Sequence, residues 1–219
     1  MKLESLIDKG TRELGVHLDN IQIQKFINYL MLLKQWNNKV NITSITDDKD
    51  IVIKHFLDSL SVSNLLNNDT NLLDIGSGGG FPGLPLAIVQ PELNVTLLDS
   101  VQKKAVFMKE VVRNLGLNNV EVVQGRAEDK KNKIKRNSFG SVITRAVSGI
   151  KEVLDLSLPY IKNDGKVLLM RGKEEEDSNS FISCMEKNGK YSLNFEKFKL
   201  RLPFSNYKRV VLIFKKVKD

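Results

Sequence analysis

The sequence predicts an α/β fold: a mainly parallel, seven-stranded sheet with helices on both faces, a terminal antiparallel pair of strands, and an N-terminal helical extension. From residue 71 onward, short apolar runs alternate with helix-length stretches, the pattern of a parallel sheet linked by right-handed crossovers. A glycine-rich turn, "DIGSGGG" at 74–80, follows the first of those runs, where a doubly wound sheet makes its first strand-to-helix turn. Residues 1–70 show helical spacing and no strand pattern.

In the extension, Asp19 and Gln22 have the spacing of a capping box, and Ile23, Phe26, Ile27, Leu30 and Leu33 follow at helical intervals. Parallel strands are expected at "NLLDIG", "NVTLLDS", "NVEVVQG", "GSVITRA" and "GKVLLMR", each a short apolar run. Helices are expected near 84–89, 101–115, 149–160 and 174–188. The acidic run Glu174, Glu175, Glu176 and Asp177 opens the last of these, where negative charge complements the helix dipole. Two further strand-like runs, "YSLNFEKFKL" and "KRVVLIFKK", are separated only by "RLPFSNY", so they should pair antiparallel. The organisation is thus residues 1–70 as a helical extension and 71–219 as one compact domain.

The 219 residues are 41% apolar and 27% charged, enough for a well-packed core and unlike a disordered chain. No apolar run approaches the roughly 20 residues that span a bilayer. The start, "MKLESLIDKGTREL", is charged throughout and lacks a signal peptide's apolar stretch. A cytoplasmic protein with no membrane partner is the expectation. The single cysteine, Cys184, has no partner for a disulfide or a zinc site, and nothing in the sequence calls for a metal. The net charge of +8 is unevenly placed. Residues 187–219 carry ten Lys or Arg against two acidic residues, and "GRAEDKKNKIKRNS" concentrates Arg126, Lys130, Lys131, Lys133, Lys135 and Arg136. Either cluster alone is compatible with a solvated face; two in one chain favour nucleic acid.

Glycines in the turn permit backbone angles closed to other residues and leave room for a ligand against the chain. Two registers fit. Gly78, Gly80 and Gly83 match the dinucleotide fingerprint GxGxxG, while Asp74, Gly76, Gly78 and Gly80 match DxGxGxG. The fingerprint needs its first glycine at the strand end; the strand ends at Ile75, which makes Gly76 the first and puts Phe81 where the third belongs. DxGxGxG fits better, and it is the register of S-adenosylmethionine-dependent methyltransferases. The next strand ends at Asp99, whose carboxylate can accept both hydroxyls of a ribose, a group common to both cofactor classes. After the third strand, Glu128 and the backbone of Ala127 are offered to an adenine edge.

Missing motifs bear on the methyl acceptor. Attack by a pyrimidine C5 requires a cysteine nucleophile, and Cys184 lies on a late helix far from the strand ends. An exocyclic amine is met by Asn or Asp, two prolines and an aromatic after the fourth strand, where this sequence reads "TRAVSG". A guanine N7 has an in-plane lone pair and no proton, so positioning suffices. The product gains positive charge, so Arg145 is expected at the cofactor carboxylate, a phosphate or the structure. Two other readings stay open: a small-molecule methyltransferase, and a non-catalytic rRNA-binding assembly factor.

"WNNKVNITSI" at 36–45, "KHFLDSL" at 54–60, "DIGSGGGFPGLPLAI" at 74–88, "LLDSVQKK" at 97–104, "GRAED" at 125–129 and "ITRAV" at 143–147 resemble the bacterial 16S rRNA guanine-N7 methyltransferases, the RsmG or glucose-inhibited division protein B family. The resemblance covers nearly the whole chain. It implies a Rossmann-like class I methyltransferase fold, methyl transfer from S-adenosyl-L-methionine to N7 of a guanine, and 16S rRNA or the small ribosomal subunit as partner. Its cofactor contacts are Gly76 and Phe81, Ala127 with Glu128, and Arg145, joining Asp74, Gly78, Gly80 and Asp99 from the register above. No catalytic residue is singled out. Candidate RNA contacts are His55, Arg126, Arg171, Lys173, Lys208 and Arg209. From the residues alone, His55, Asp58 and Ser59 form a solvated polar face opposite Ile53, Phe56, Leu57 and Leu60; the resemblance instead puts that face at the active cleft. Trp36 is expected to pack rather than to stack a flipped base.

Overall fold

The computed structural model describes residues 2–66, 69–129, 132–145, 149–172 and 193–216. The extension holds α1 (Leu3–Glu13), α2 (Asn20–Asn37) and α3 (Asp48–Ile51), the last continuing as a π-helical turn, Val52–Leu57, into α4 (Asp58–Leu60). Then follow β1 (Asn71–Ile75), α5 (Gly83–Val89), β2 (Asn94–Asp99), α6 (Gln102–Leu115), β3 (Val120–Gln124) and β4 (Phe139–Arg145). The chain closes with α7 (Ile150–Ser157), β5 (Ile161–Arg171), β6 (Leu193–Arg201) and β7 (Lys208–Lys216). The helix expected at 174–188, with its acidic start, Lys173 and Cys184, lies outside the described residues.

Local chemistry accounts for the boundaries. Asp19 accepts from the Gln22 N–H at 2.7 Å while the Gln22 side chain accepts from the Asp19 N–H at 3.1 Å, closing the capping box that starts α2. The stripe Phe26, Ile27, Tyr29, Leu30 and Leu33 is buried. α6 stops at Gly116, whose φ of +60° suits glycine, and the Leu117 N–H then bonds the Val112 carbonyl.

The strand order is β3-β2-β1-β4-β5-β7-β6. β1 to β5 are parallel, and β7 runs antiparallel to both of its neighbours. The β6–β7 hairpin follows from the sequence; short separation alone does not decide that β7 lies inside and β6 at the edge. Burial decides it. Val211, Leu212, Ile213 and Phe214 are all buried, as an interior strand requires, whereas Glu196, Lys197 and Lys199 of β6 are exposed. Charges of that kind discourage further pairing at an edge.

Alternate residues of β1 serve opposite faces: Leu72 packs with the N-terminal helices, α5 and α6, and Leu73 and Ile75 pack on the α7 side. The extension shares its core with the sheet, since Phe26, Leu30 and Phe56 belong to the same cluster as Leu84 and Phe107. After β1 the chain winds to β2 and β3 on one side, then returns to place β4 on the other. The carboxyl ends of β1 and β4 therefore flank a topological switch point, where doubly wound sheets bind ligands. Among the described residues, no helix is long and apolar enough to cross a membrane, and no three His, Cys, Asp or Glu side chains are grouped to hold a metal ion.

Candidate active site

β1 ends at Ile75 and the chain turns through Gly76, Gly78 and Gly80, with φ of +74°, +60° and +92°. The turn is tied by its own backbone: the Gly76 N–H bonds Leu98 O, and the N–H groups of Gly80 and Phe81 both bond Ser77 O, each at 2.8 Å. The glycines divide by what they face. Gly76 is exposed, and a Cβ on Gly78 would find nothing nearer than the Gly76 carbonyl oxygen at 3.9 Å. These two turn bare backbone to open space. Gly80 is buried, and a Cβ there would lie 2.2 Å from Leu84 Cδ1 and 2.8 Å from Tyr29 Oη. Gly80, assigned to the cofactor by its spacing, sits where the loop packs on the helical extension.

Two carboxylates serve the loop. Asp99 accepts from the Gly78 N–H and the Val101 N–H, both at 2.8 Å, which uses two of its roughly four acceptor positions. Asp74 is fully buried; its Oδ2 accepts from the Gly83 N–H at 2.9 Å and its Oδ1 has no partner. Burial pushes the Asp74 carboxyl up to about 7, against the pull of the Gly83 N–H and of Arg145. Bare backbone at Gly76 and Gly78, spare acceptor capacity on Asp99 and an orphaned carboxylate oxygen beneath the loop fit a cationic ligand that carries a ribose. After β3, the Ala127 carbonyl accepts from the Tyr160 hydroxyl at 2.6 Å, which ties the backbone there to the turn after α7. Glu128 is exposed, 3.7 Å from Arg126.

The extension braces the loop from the other side. The Phe81 ring is stacked between Tyr29 (centroids 5.3 Å, 16°) and His55 (4.3 Å, 10°), with the Arg145 guanidinium 5.3 Å from its centre. Phe81 is buried, so its backbone is what it can offer a cofactor. The Tyr29 hydroxyl donates to the Gly79 carbonyl. Tyr29→Phe strips that carbonyl of its partner and should lower stability by about 1–3 kcal/mol in urea unfolding; an unchanged midpoint would dismiss the bond.

The expected solvated face is wrong: His55, Asp58 and Ser59 are only 6%, 0% and 0% exposed. The π-helical turn changes the spacing on which that face was drawn, and the partners arrive from distant strands. Arg145, at the end of β4, donates to Asp58 Oδ2, to the Lys54 carbonyl and to His55 Nδ1, each at 3.1 Å. Arg209, at the start of β7, bonds both Asp58 oxygens. Burial first, then the charges of Arg145, Arg209 and Lys54, push His55 down to about 3, so the ring is neutral at physiological pH. An arginine only donates; Nδ1 is therefore the acceptor, and Nε2 carries the proton to Thr43 Oγ1 at 2.9 Å.

Of the candidate RNA contacts, His55 and Arg209 are thus turned inward, Arg126 and Lys208 are exposed, and Arg171 is half-buried. Trp36 packs on Phe107 at 5.7 Å, as expected. Tyr29 was absent from the site drawn on sequence, and Asp58 entered it only through the resemblance, with no partner named. Each carried a signal: a tyrosine within a buried stripe needs a partner for its hydroxyl, and a carboxylate within the apolar stretch 51–60 needs a cation.

The family model of rRNA small subunit methyltransferase G matches residues 22–201. The ribosomal RNA small subunit methyltransferase G of Thermoanaerobacter sp. (strain X514) is 40% identical, over 98% of this chain and 90% of its own. That of Geotalea uraniireducens (strain Rf4) is 36% identical, over 99% and 98%. A solved S-adenosylmethionine-dependent methyltransferase from Aquifex aeolicus superposes with a TM-score of 0.58 at 19% identity, over 79% of this chain and 96% of its own, a likeness of fold. Similarity of this extent runs through the extension and the sheet alike, and so the chain belongs to the rRNA small subunit methyltransferase G family, as an S-adenosyl-L-methionine-dependent methyltransferase.

Proposed function

We propose that the protein transfers the methyl group of S-adenosyl-L-methionine to N7 of a guanine in 16S rRNA, in the cytoplasm. The observation that carries this reading is the bare backbone of Gly76 and Gly78 beside Asp99, at the crevice between β1 and β4 of a chain of this family. S-Adenosyl-L-methionine supplies an electrophilic methyl group on a positively charged sulfur. Gly76 and Gly78 let the ligand lie against the chain, Asp99 accepts from ribose hydroxyls, and the Ala127 backbone with Glu128 addresses the adenine edge. A bound cation favours the ionised form of Asp74, which then complements the positive charge from beneath. Arg145, three of whose five donors are already engaged, brings at most two to the cofactor carboxylate. Guanine N7 has no proton to remove, so the chain has only to hold the base in line and keep water away.

The RNA is gripped by cations on the same edge of the sheet. Arg126 follows β3, Arg171 ends β5, and Lys208 opens the antiparallel β7, two residues before Val210, the register partner of Arg171. Charge reversal at Arg126 or Lys208 should weaken RNA binding across sequences and lower the salt slope by about one each, as read by filter binding over a salt series. A flat salt response of the wild type would dismiss this grip. With methyl-labelled cofactor, incorporation should require small-subunit RNA. Label passing to small acceptors without RNA would favour a small-molecule methyltransferase, and binding of both ligands without product an assembly factor.

A further inference from the structure

We propose that Asp58 is a positioning residue of the cofactor site: a buried counterion that sets Arg145 at the crevice by tying it, together with Arg209, to the helical extension. The proposal rests on the reading that Arg145 meets the cofactor carboxylate. The Asp58 side chain is 0% exposed and receives Arg209 Nε on Oδ1 at 2.5 Å, Arg209 Nη2 on Oδ2 at 2.9 Å and Arg145 Nη1 on Oδ2 at 3.1 Å. Two guanidiniums thus share one carboxylate, in a place where the Arg145 and Arg209 side chains are 17% and 25% exposed. The cluster carries a surplus positive charge that is poorly hydrated, and a further anion completes it.

Arg145 makes its polar contacts, among the described residues, with residues 54–58: the Lys54 carbonyl, His55 Nδ1 and Asp58. The π-helical turn presents all three to one guanidinium. His55, kept neutral, accepts from Arg145 without adding charge. A long side chain fixed before its ligand arrives binds with less ordering cost. Stability alone does not call for this arrangement, since well-packed apolar residues commonly serve a buried site at least as well as an ion pair.

The test is calorimetric binding of two ligands, S-adenosylhomocysteine, which keeps the amino acid carboxylate, and 5′-methylthioadenosine, which lacks it. Asp58→Asn retains the side chain's shape and one acceptor oxygen. It should weaken S-adenosylhomocysteine about tenfold and leave 5′-methylthioadenosine unchanged. Arg145→Met should weaken S-adenosylhomocysteine at least as much, and Asp58→Asn added to it should cost nothing more, because the two act in one chain of contacts. Equal weakening of both ligands by Asp58→Asn, or additive losses in the double variant, would overturn the positioning role. An unchanged S-adenosylhomocysteine affinity in Arg145→Met would instead overturn the Arg145 reading beneath it. Should Asp58→Asn fail to fold, Arg209→Lys keeps the charge and loses the fork. It should reproduce the ligand-selective loss at about threefold, and its absence would count against the proposal.

Discussion

Gly78→Ala should weaken S-adenosyl-L-methionine binding by on the order of 100-fold and leave the fold standing, while Gly80→Ala, two residues on, should do the reverse. The Gly78 Cβ enters space where the nearest atom is 3.9 Å away, so in the empty protein only its φ of +60° is resisted, at about 1–2 kcal/mol. With ligand bound, that same space is where the cofactor lies against the chain. At Gly80 the Cβ has no space at all, 2.2 Å from Leu84 Cδ1, and φ is +92°. Overpacking costs about 1–3 kcal/mol and the backbone strain adds to it. Urea unfolding and calorimetric titration on the two variants separate the effects. Equal losses of affinity in both, at unchanged stability, would contradict the division of the loop into an open half and a packed half.

Asp74→Asn should change how stability depends on pH. The Asp74 carboxyl is raised from 3.8 to about 7 in the folded chain. Below pH 4 it is protonated in both states. Between pH 4 and 7 the unfolded chain gives up a proton that the folded chain keeps, so stability falls as pH rises, and the full cost persists above 7. The separation corresponds to on the order of 4 kcal/mol. His55 works in the opposite sense. Its folded value is about 3 against 6.5, so below pH 6.5 the unfolded chain binds a proton that the folded ring refuses, and stability falls as pH drops toward 3. The two slopes overlap between pH 4 and 6.5 and oppose one another there. In the wild type this pair leaves the window nearly flat. Asp74→Asn removes one arm, so unfolding free energy should climb with pH from 4 to 6.5 and level off above. Urea unfolding across that range checks it; parallel profiles for the two proteins would contradict the buried, proton-holding Asp74.

Much of this fold was legible because its signals are local. Apolar runs of strand length, a capping box at Asp19 and Gln22, and the DxGxGxG turn each speak through neighbours in sequence. Where the reading failed, the missing information lay far along the chain. Asp58 looked solvated because its partners, Arg145 and Arg209, stand 87 and 151 residues away, and because a π-helical turn does not keep the regular helical spacing. Gly78 and Gly80 read alike in a motif, yet one faces open space and the other faces Tyr29 and Leu84, side chains that the motif does not contain. The place of β7 was set by burial on both faces, which its unbroken "VVLIF" did announce, against the charged alternation of β6.

The most direct test of the whole account supplies methyl-labelled S-adenosyl-L-methionine and small ribosomal subunits lacking their native methylation, then identifies the labelled nucleoside after digestion. The account predicts label in 7-methylguanosine from 16S rRNA with the wild type and little or none with Gly78→Ala. Label in any other nucleoside, or no label from a wild-type protein shown to bind the cofactor, would contradict it.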